Sequence, residues 1–221
     1  TNISGAHFKN FNTLKDIAKA KAEIINNISK DGNIILNEDD KFFSFLSNKA
    51  KKNEINITSF SLKKKSDIYL MGIKKKKNYF KLKINIKNKF FYFDVKYSTN
   101  NFISNILACI STMFVLNLNL NKIKKKFIGF KIPEGRGDIK IVKKFNKRFK
   151  FIDESYNANL LSMTSAINNM DYYNDNKNHR KLVLLGDMLE LGKKSKKFHR
   201  ALSVIINRSN IDKVFVCGKY I

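Results

Sequence analysis

Two short apolar runs, each ending on an acidic residue and opening onto a helical pattern, constrain this chain more than anything else in it. FIDESYNANLLSM occupies 151–163 and LVLLGDMLELG occupies 182–192. In an α/β sheet, the carboxyl end of a strand that opens onto a helix N-terminus is where ligands bind, because unpaired backbone N–H groups point outward there. The first run delivers Asp153, Glu154, Ser155, Tyr156, Asn157 and Asn159 onto one polar loop. Around it the pattern predicts a strand over 148–153, a helix over 159–170, a strand over 181–186, a helix over 194–207 and a strand over 212–217. Alternation of this kind, with strands buried on both faces, predicts an α/β domain with a right-handed, mostly parallel sheet.

Upstream the pattern differs. Leu14, Ile17, Ala18, Ile24, Ile25 and Ile28 fall on one stripe of an amphipathic helix over 13–29, capped by Asn12 or Thr13. Lys21 lies in the middle of that stripe, where a lysine is costly unless it snorkels, is paired or has been chemically changed. NIILNEDD (33–40) reads as a short buried strand ending in polar residues, followed by a helix over 40–50. Leu82, Ile84 and Ile86, then Phe91, Phe93, Val95 and Tyr97, alternate on either side of Lys87-Asn88-Lys89, which predicts a hairpin with one buried face. The lysine runs at 63–65 and 74–77 read as solvated turns. A helix over 101–117 carries Ile103, Ile106, Leu107, Ile110 and Phe114. KIPEGRGD (131–138) holds the single proline and two glycines, and marks a domain boundary.

With 221 residues, 43% of them hydrophobic, the chain can bury one large core or two small ones. Lys and Arg outnumber Asp and Glu by 44 to 18, a balance that ordinarily suggests a nucleic-acid or anionic-membrane partner. Here the excess is mostly Lys, scattered among Asn, Ile and Phe, all residues with A/T-rich codons, so a biased genome accounts for it without selection for binding. A basic nucleic-acid-binding protein remains the rival reading; it requires lysines and exposed aromatics grouped on one face. Cys109 and Cys217 both lie in apolar runs and read as small core residues of a reducing compartment. The longest apolar stretch, Ile106 to Leu116, is too short to span a bilayer. No signal peptide opens the chain, so the expectation is a cytoplasmic protein. The start on TNISGAH, without Met, reads as a cut through a larger protein.

The motifs converge on a family. TNISGAHFKNFNTLKDIAKAKAEI (1–24), ILNEDD (35–40), NILA (105–108), EGRGD (134–138), IDESYNANLLSMTSAI (152–167) and LLGDMLELG (184–192) together resemble the Mur ligases, most closely the MurF type. SYNAN followed by SM is the most specific of these. The resemblance implies that 1–131 is the C-terminal part of a central ATP-binding domain and 132–221 a Rossmann-like C-terminal domain, truncated at its end. It implies a cytoplasmic, monomeric ligase that uses ATP and Mg2+ to join D-alanyl-D-alanine to UDP-N-acetylmuramoyl-tripeptide through an acyl phosphate. The N-terminal UDP-substrate domain and the glycine-rich phosphate loop are missing from the stretch, so the piece alone is expected to be inactive.

By the same resemblance His7 is a magnesium ligand, against the plainer reading of a histidine capping a turn. Lys21 matches the lysine that related ligases carbamylate, which turns a cation into an anionic oxygen ligand; burial on an apolar stripe would favour that reaction. Asn37 matches an adenine-side asparagine. Arg136 matches an arginine that reaches the nucleotide phosphates, with Gly135 and Gly137 allowing close approach to the ligand. Asp153, Tyr156, Asn157 and Asn159 match the loop that meets ribose and adenine, and Asn159 is also a natural helix cap. Asp187 and Glu190 are placed beside the incoming dipeptide amine, while His199 reads equally well as a satisfied histidine. The chain departs from the family at Thr99-Asn100-Asn101, where a G-x-H motif is usual, and at Leu160, where many members carry Pro. Nearer alternatives are other ligases of the superfamily, such as MurE or folylpolyglutamate synthase.

Overall fold

The computed structural model describes residues 1–4, 11–170 and 179–221. These fall into two compact units, one containing Thr1–Ile3 and Leu14–Phe130, the other containing Lys131–Ile221.

The first unit is built on a five-stranded sheet in the order β1-β2-β3-β4-β5, with β1 Asn33–Asn37, β2 Asn56–Ser61, β3 Ile68–Lys75, β4 Phe80–Ile86 and β5 Lys89–Val95. The first three strands run parallel, and β4 and β5 complete the sheet as an antiparallel meander. Period-two alternation sends Ile34 and Ile57 to one face and Ile35 and Phe60 to the other. On the first face, Ala22, Ile25, Ala50 and Ile55 close a small core, contributed largely by α1 (Leu14–Ala22), the 3-10 turn after it and α2 (Phe43–Lys52). On the second, α3 (Asn100–Val115) lays Ile103, Ile106, Leu107 and Ile110 against Phe60, Ile68, Leu82, Ile84, Ile86, Phe93 and Val95. This is the larger core.

The expected hairpin forms, and its register sets Ile84 opposite Phe91 and Leu82 opposite Phe93. Its two-residue turn, Lys87-Asn88, has both residues at positive φ (46° and 66°), the backbone twist that suits a tight hairpin. The first helix is shorter than its stripe suggests. It tightens at Glu23–Asn27 into a 3-10 turn, and the change of period rotates Ile24 outward to 64% exposure.

In the second unit β6 (Asp138–Lys144) and β7 (Lys147–Asp153) form an antiparallel hairpin. There follow α4 (Leu160–Asn168), β8 (Leu182–Gly186), α5 (Ser195–Asn207) and β9 (Lys213–Cys217), with β8 and β9 paired in parallel. The helices and strands of the sequence reading are all present, and β6 is an addition to it. Ile167, Leu185 and Leu202 form the core, joined by Leu160, Met163, Val183, Ile205, Ile206 and Val214. Among the described residues β8 and β9 are covered on one face, not two: Leu184 on the other face is 75% exposed. Cys217 is likewise exposed, and Cys109 is half-buried. No helix among the described residues is long and apolar enough to cross a membrane.

The β4–β5 register yields a test. Phe93, fully buried, should cost about 3–5 kcal/mol when truncated to Ala. Phe90, on the opposite face and 57% exposed, should cost less than about 1 kcal/mol. Urea denaturation of both variants measures the difference, and similar losses would refute the register.

Candidate functional site

At the start of the second unit two loops are fitted together. Gly135 (φ 71°) and Gly137 (φ 91°) take backbone conformations that disfavour side chains. Tyr156 N–H donates to the Gly135 carbonyl (3.0 Å), and Gly137 N–H donates to the Asp153 carbonyl (2.7 Å). A Cβ on Gly135 would stand 2.9 Å from the Tyr156 nitrogen, and one on Gly137 2.9 Å from Glu154 Oε1. The glycines therefore serve the approach of one loop to the other, where the sequence reading gave them to a ligand. Asp138 completes the clasp by accepting Gly135 N–H at 2.9 Å.

This clasp carries the Arg136 guanidinium over the Tyr156 ring, 4.0 Å from its centroid. A cation–π contact restrains the guanidinium without using its N–H donors, which stay suited to an anion. Tyr156 is still 67% exposed. Asp153, at the last position of β7, accepts Ser155 N–H at 3.0 Å; bonds from Ser155 hold its carboxyl below the usual carboxylate range. Glu154 is pushed the other way, first by burial of its carboxyl end and then by the charges of Asp153 and Asp138. Although the residue as a whole is exposed, its carboxylate is the part that faces Gly137. Asn157 is exposed on the same loop. Asn159 caps α4 with a reciprocal box: its Oδ1 accepts Ser162 N–H and Ser162 Oγ accepts Asn159 N–H, both at 3.0 Å. Leu160 takes the first helical position, where proline also fits, and its side chain joins the core. Sequence reasoning put Glu154 on this loop without giving it a role, and missed Asp138 and Ser162 as parts of the site. The spacing from Asn159 to Ser162 was the available signal for the last.

The second strand end is organised around Asp187. Its Oδ2 accepts Lys219 N–H (2.8 Å), and its Oδ1 accepts Tyr220 and Ile221 N–H (3.0 and 2.8 Å). Burial raises the affinity of this carboxyl for its proton, but the three backbone donors, with His199 nearby, outweigh it and the pKa is lowered. Gly218 (φ 148°) is required here, since a Cβ would lie 2.5 Å from Asp187 Oδ1. His199 is buried; its Nε2 accepts Met188 N–H (3.0 Å), so Nδ1 carries the proton toward the Ser195 carbonyl (2.8 Å). Asp187 Oδ1 lies 3.6 Å from Nε2, beyond hydrogen-bond range. His199 is thus the satisfied histidine of the two readings, and Asp187 spends its oxygens on the backbone. Glu190 is exposed, at φ 58°.

In the first unit the polar end of β1 is closely tied. Asn37 Nδ2 donates to the Thr1 carbonyl (2.8 Å) while its Oδ1 accepts Asp39 N–H (2.9 Å). Asp39 accepts Ser61 Oγ–H (2.8 Å) and Leu62 N–H (2.6 Å), which joins the ends of β1 and β2. Lys21, in the last turn of α1, is exposed, and this corrects the sequence reading. A four-carbon stem at a helix end lets the ammonium reach water even from an apolar stripe. The burial offered as the driving force for carbamylation is therefore absent. His7 lies outside the described residues. Among the described residues no group of three or more His, Cys, Asp or Glu is arranged to hold a metal ion.

Comparison with known proteins fits this architecture. The Mur ligase middle domain matches residues 1–113, and the Mur ligase glutamate ligase domain matches residues 139–220. The chain belongs to the Mur ligase family. More particularly, it is 34% identical over 220 residues to the UDP-N-acetylmuramoyl-tripeptide--D-alanyl-D-alanine ligase of Buchnera aphidicola subsp. Baizongia pistaciae, covering 99% of this chain and 45% of the relative. The ligase of the same name from Rickettsia prowazekii is 30% identical, covering 99% and 47%. Crystal structures of MurF from Acinetobacter baumannii (TM-score 0.85, 24% identity, 99% and 46% covered) and of MurF ligase from Thermotoga maritima in complex with ADP (TM-score 0.77, 24% identity, 97% and 47% covered) share the fold. The chain spans about half the length of the curated relatives it matches.

Two outcomes follow for the second strand end. His199→Ala should lower stability by about 1–3 kcal/mol, because the buried Met188 N–H loses its acceptor; thermal or urea unfolding reads this directly. Asp187 has a depressed pKa, so its contribution is full above the ordinary carboxylate value of about 3.9 and is lost as pH falls through the folded-state value. Acid titration of stability should accordingly be flatter in Asp187→Asn than in the parent chain, and identical slopes would exclude the assignment.

Proposed function

We propose that this chain supplies the greater part of the nucleotide-closing half of an ATP-dependent amide ligase. The reaction adds D-alanyl-D-alanine to UDP-N-acetylmuramoyl-tripeptide in peptidoglycan precursor synthesis. The observation that carries the proposal is the Arg136–Tyr156 cation–π contact, held at the carboxyl end of β7 by two glycines at positive φ. A guanidinium restrained by a ring, with its donors unused by that contact, is suited to phosphate oxygens. Ribose and adenine would meet the adjoining rim of Asp153, Tyr156, Asn157 and Asn159; Asn37, at the end of β1, is proposed as an adenine-side asparagine.

In this reading the γ-phosphate of ATP passes to the terminal carboxylate of the tripeptide. The dipeptide amine then attacks the acyl carbon and expels phosphate. Arg136 holds phosphate charge while the transfer proceeds, a positioning and electrostatic role. ATP brings the phosphoryl group, and Mg2+ would neutralise its charge. His7 and a carbamylated Lys21 are the proposed magnesium ligands. The exposed setting of Lys21 leaves that modification resting on the family resemblance, and mass spectrometry of the magnesium-bound ligase tests it. Glu190, exposed at the end of the β8 loop, is a better candidate than Asp187 to face the dipeptide amine. The protein is proposed to act in the cytoplasm as a monomer.

The test is a graft. Residues 1–221 replace the matching stretch of the Buchnera aphidicola relative, and phosphate release is followed with ATP, Mg2+, UDP-N-acetylmuramoyl-tripeptide and D-alanyl-D-alanine. Release that requires the dipeptide is expected. Arg136→Ala should reduce kcat/KM for ATP by about 10- to 100-fold, as loss of a hydrogen-bonded charge implies, and Arg136→Lys should not restore it. A folded graft with no dipeptide-dependent release would reject the proposal.

A further inference from the structure

The β6–β7 hairpin is built against its own stability. Its two-residue turn is Phe145-Asn146, with both residues at positive φ (53° and 56°), a conformation that favours Asn, Asp or Gly and is an outlier for a bulky ring. Phe145 is 83% exposed. Beneath it the register sets Lys143 opposite Arg148 and Lys144 opposite Lys147, two like-charge pairs in succession. No acidic residue occurs between Asp138 and Asp153 to relieve them. Lys140, lower on the hairpin, is already paired with Glu134 (3.0 Å) and Asp138 (3.4 Å). The β4–β5 hairpin resolves the same problem differently: its turn lysine, Lys87, bonds to the Asp67 carboxylate.

Repulsion and an exposed ring at one apex are both relieved by a partner that is anionic outside and apolar within, while the strained turn is what holds the ring at the tip. We propose that the tip of the β6–β7 hairpin docks on an anionic lipid surface. Phe145 enters the headgroup–acyl boundary, and Lys143, Lys144, Lys147 and Arg148 remain among the phosphates. A polynucleotide is the other polyanion to weigh. Stacking platforms for bases set several rings side by side on a face; Phe149 and Phe151, each 47% exposed, lie that way on the flank, but the most exposed ring, Phe145, and both like-charge pairs are gathered at the apex, where a ring enters a surface end-on. This inference stands independently of the ligase reading, since it concerns a surface outside the Arg136–Tyr156 site.

The experiment is co-sedimentation of the 221-residue chain with phosphatidylglycerol–phosphatidylcholine vesicles and with vesicles of phosphatidylcholine alone. Binding to the anionic vesicles only is expected, weakening with added salt. Each Lys→Gln change at 143, 144 or 147 should weaken it about fivefold. Phe145→Asn is the decisive variant, because it suits the turn better: its melting temperature should rise while vesicle binding falls about tenfold. Equal binding to both vesicle types, or undiminished binding by Phe145→Asn, overturns the proposal. So does a single-stranded oligonucleotide that binds with the same dependence on Phe145 and displaces the vesicles.

Discussion

Short acidic side chains that accept backbone N–H groups at strand ends hold this molecule in shape. A parallel strand stops with unpaired polar groups at its carboxyl end, and these must be satisfied wherever water is excluded. Asp39 does this for the β1–β2 edge by binding Leu62 N–H and Ser61 Oγ–H. Asp187 does it after β8 through residues 219–221; Asp67, just before β3, binds Ser59 within β2, and Asp153, the last residue of the antiparallel β7, binds Ser155. The chain has only 18 acidic residues against 44 basic ones, and several of the few are committed to this service. The basic excess lies mainly on the surface and takes little part in it.

The elements were largely legible in the sequence. The β4–β5 hairpin, α3 and the alternating β and α elements of the second unit all follow from apolar periodicity, because each buries one regular face. Periodicity fails where local geometry changes period, as at Glu23–Asn27, and where burial depends on a partner element rather than on a stripe. Lys21 shows the second case: its position was right and its burial was not. The β6 strand, DIKIVKK, hides its alternation behind lysines at both kinds of position. The Phe145-Asn146 turn could not be read from propensity, since phenylalanine is a poor residue for that conformation.

Motif reading located the candidate site but assigned some of its parts too directly to a ligand. Gly135 and Gly137 pack one loop on another, Asn159 and Ser162 start a helix, and Asp187 anchors a turn. A residue that holds a neighbour in place and a residue that touches substrate leave similar marks in a sequence. Hydrogen-bond geometry separates them. Arg136, Tyr156, Asn157 and Glu190 are exposed, while Asp187 and His199 are tied to the backbone around the second strand end.

The two-glycine clasp has a consequence for how such a chain can change over time. A protein drifting toward lysine and phenylalanine can absorb them over most of its exterior with little harm. At 135 a methyl group would strike the Tyr156 backbone, and at 137 it would displace the Glu154 carboxylate from a backbone already at positive φ. The arginine between them is thus held on the least permissive few ångströms of the second unit, and mutational drift there would break the architecture before it could retune the chemistry.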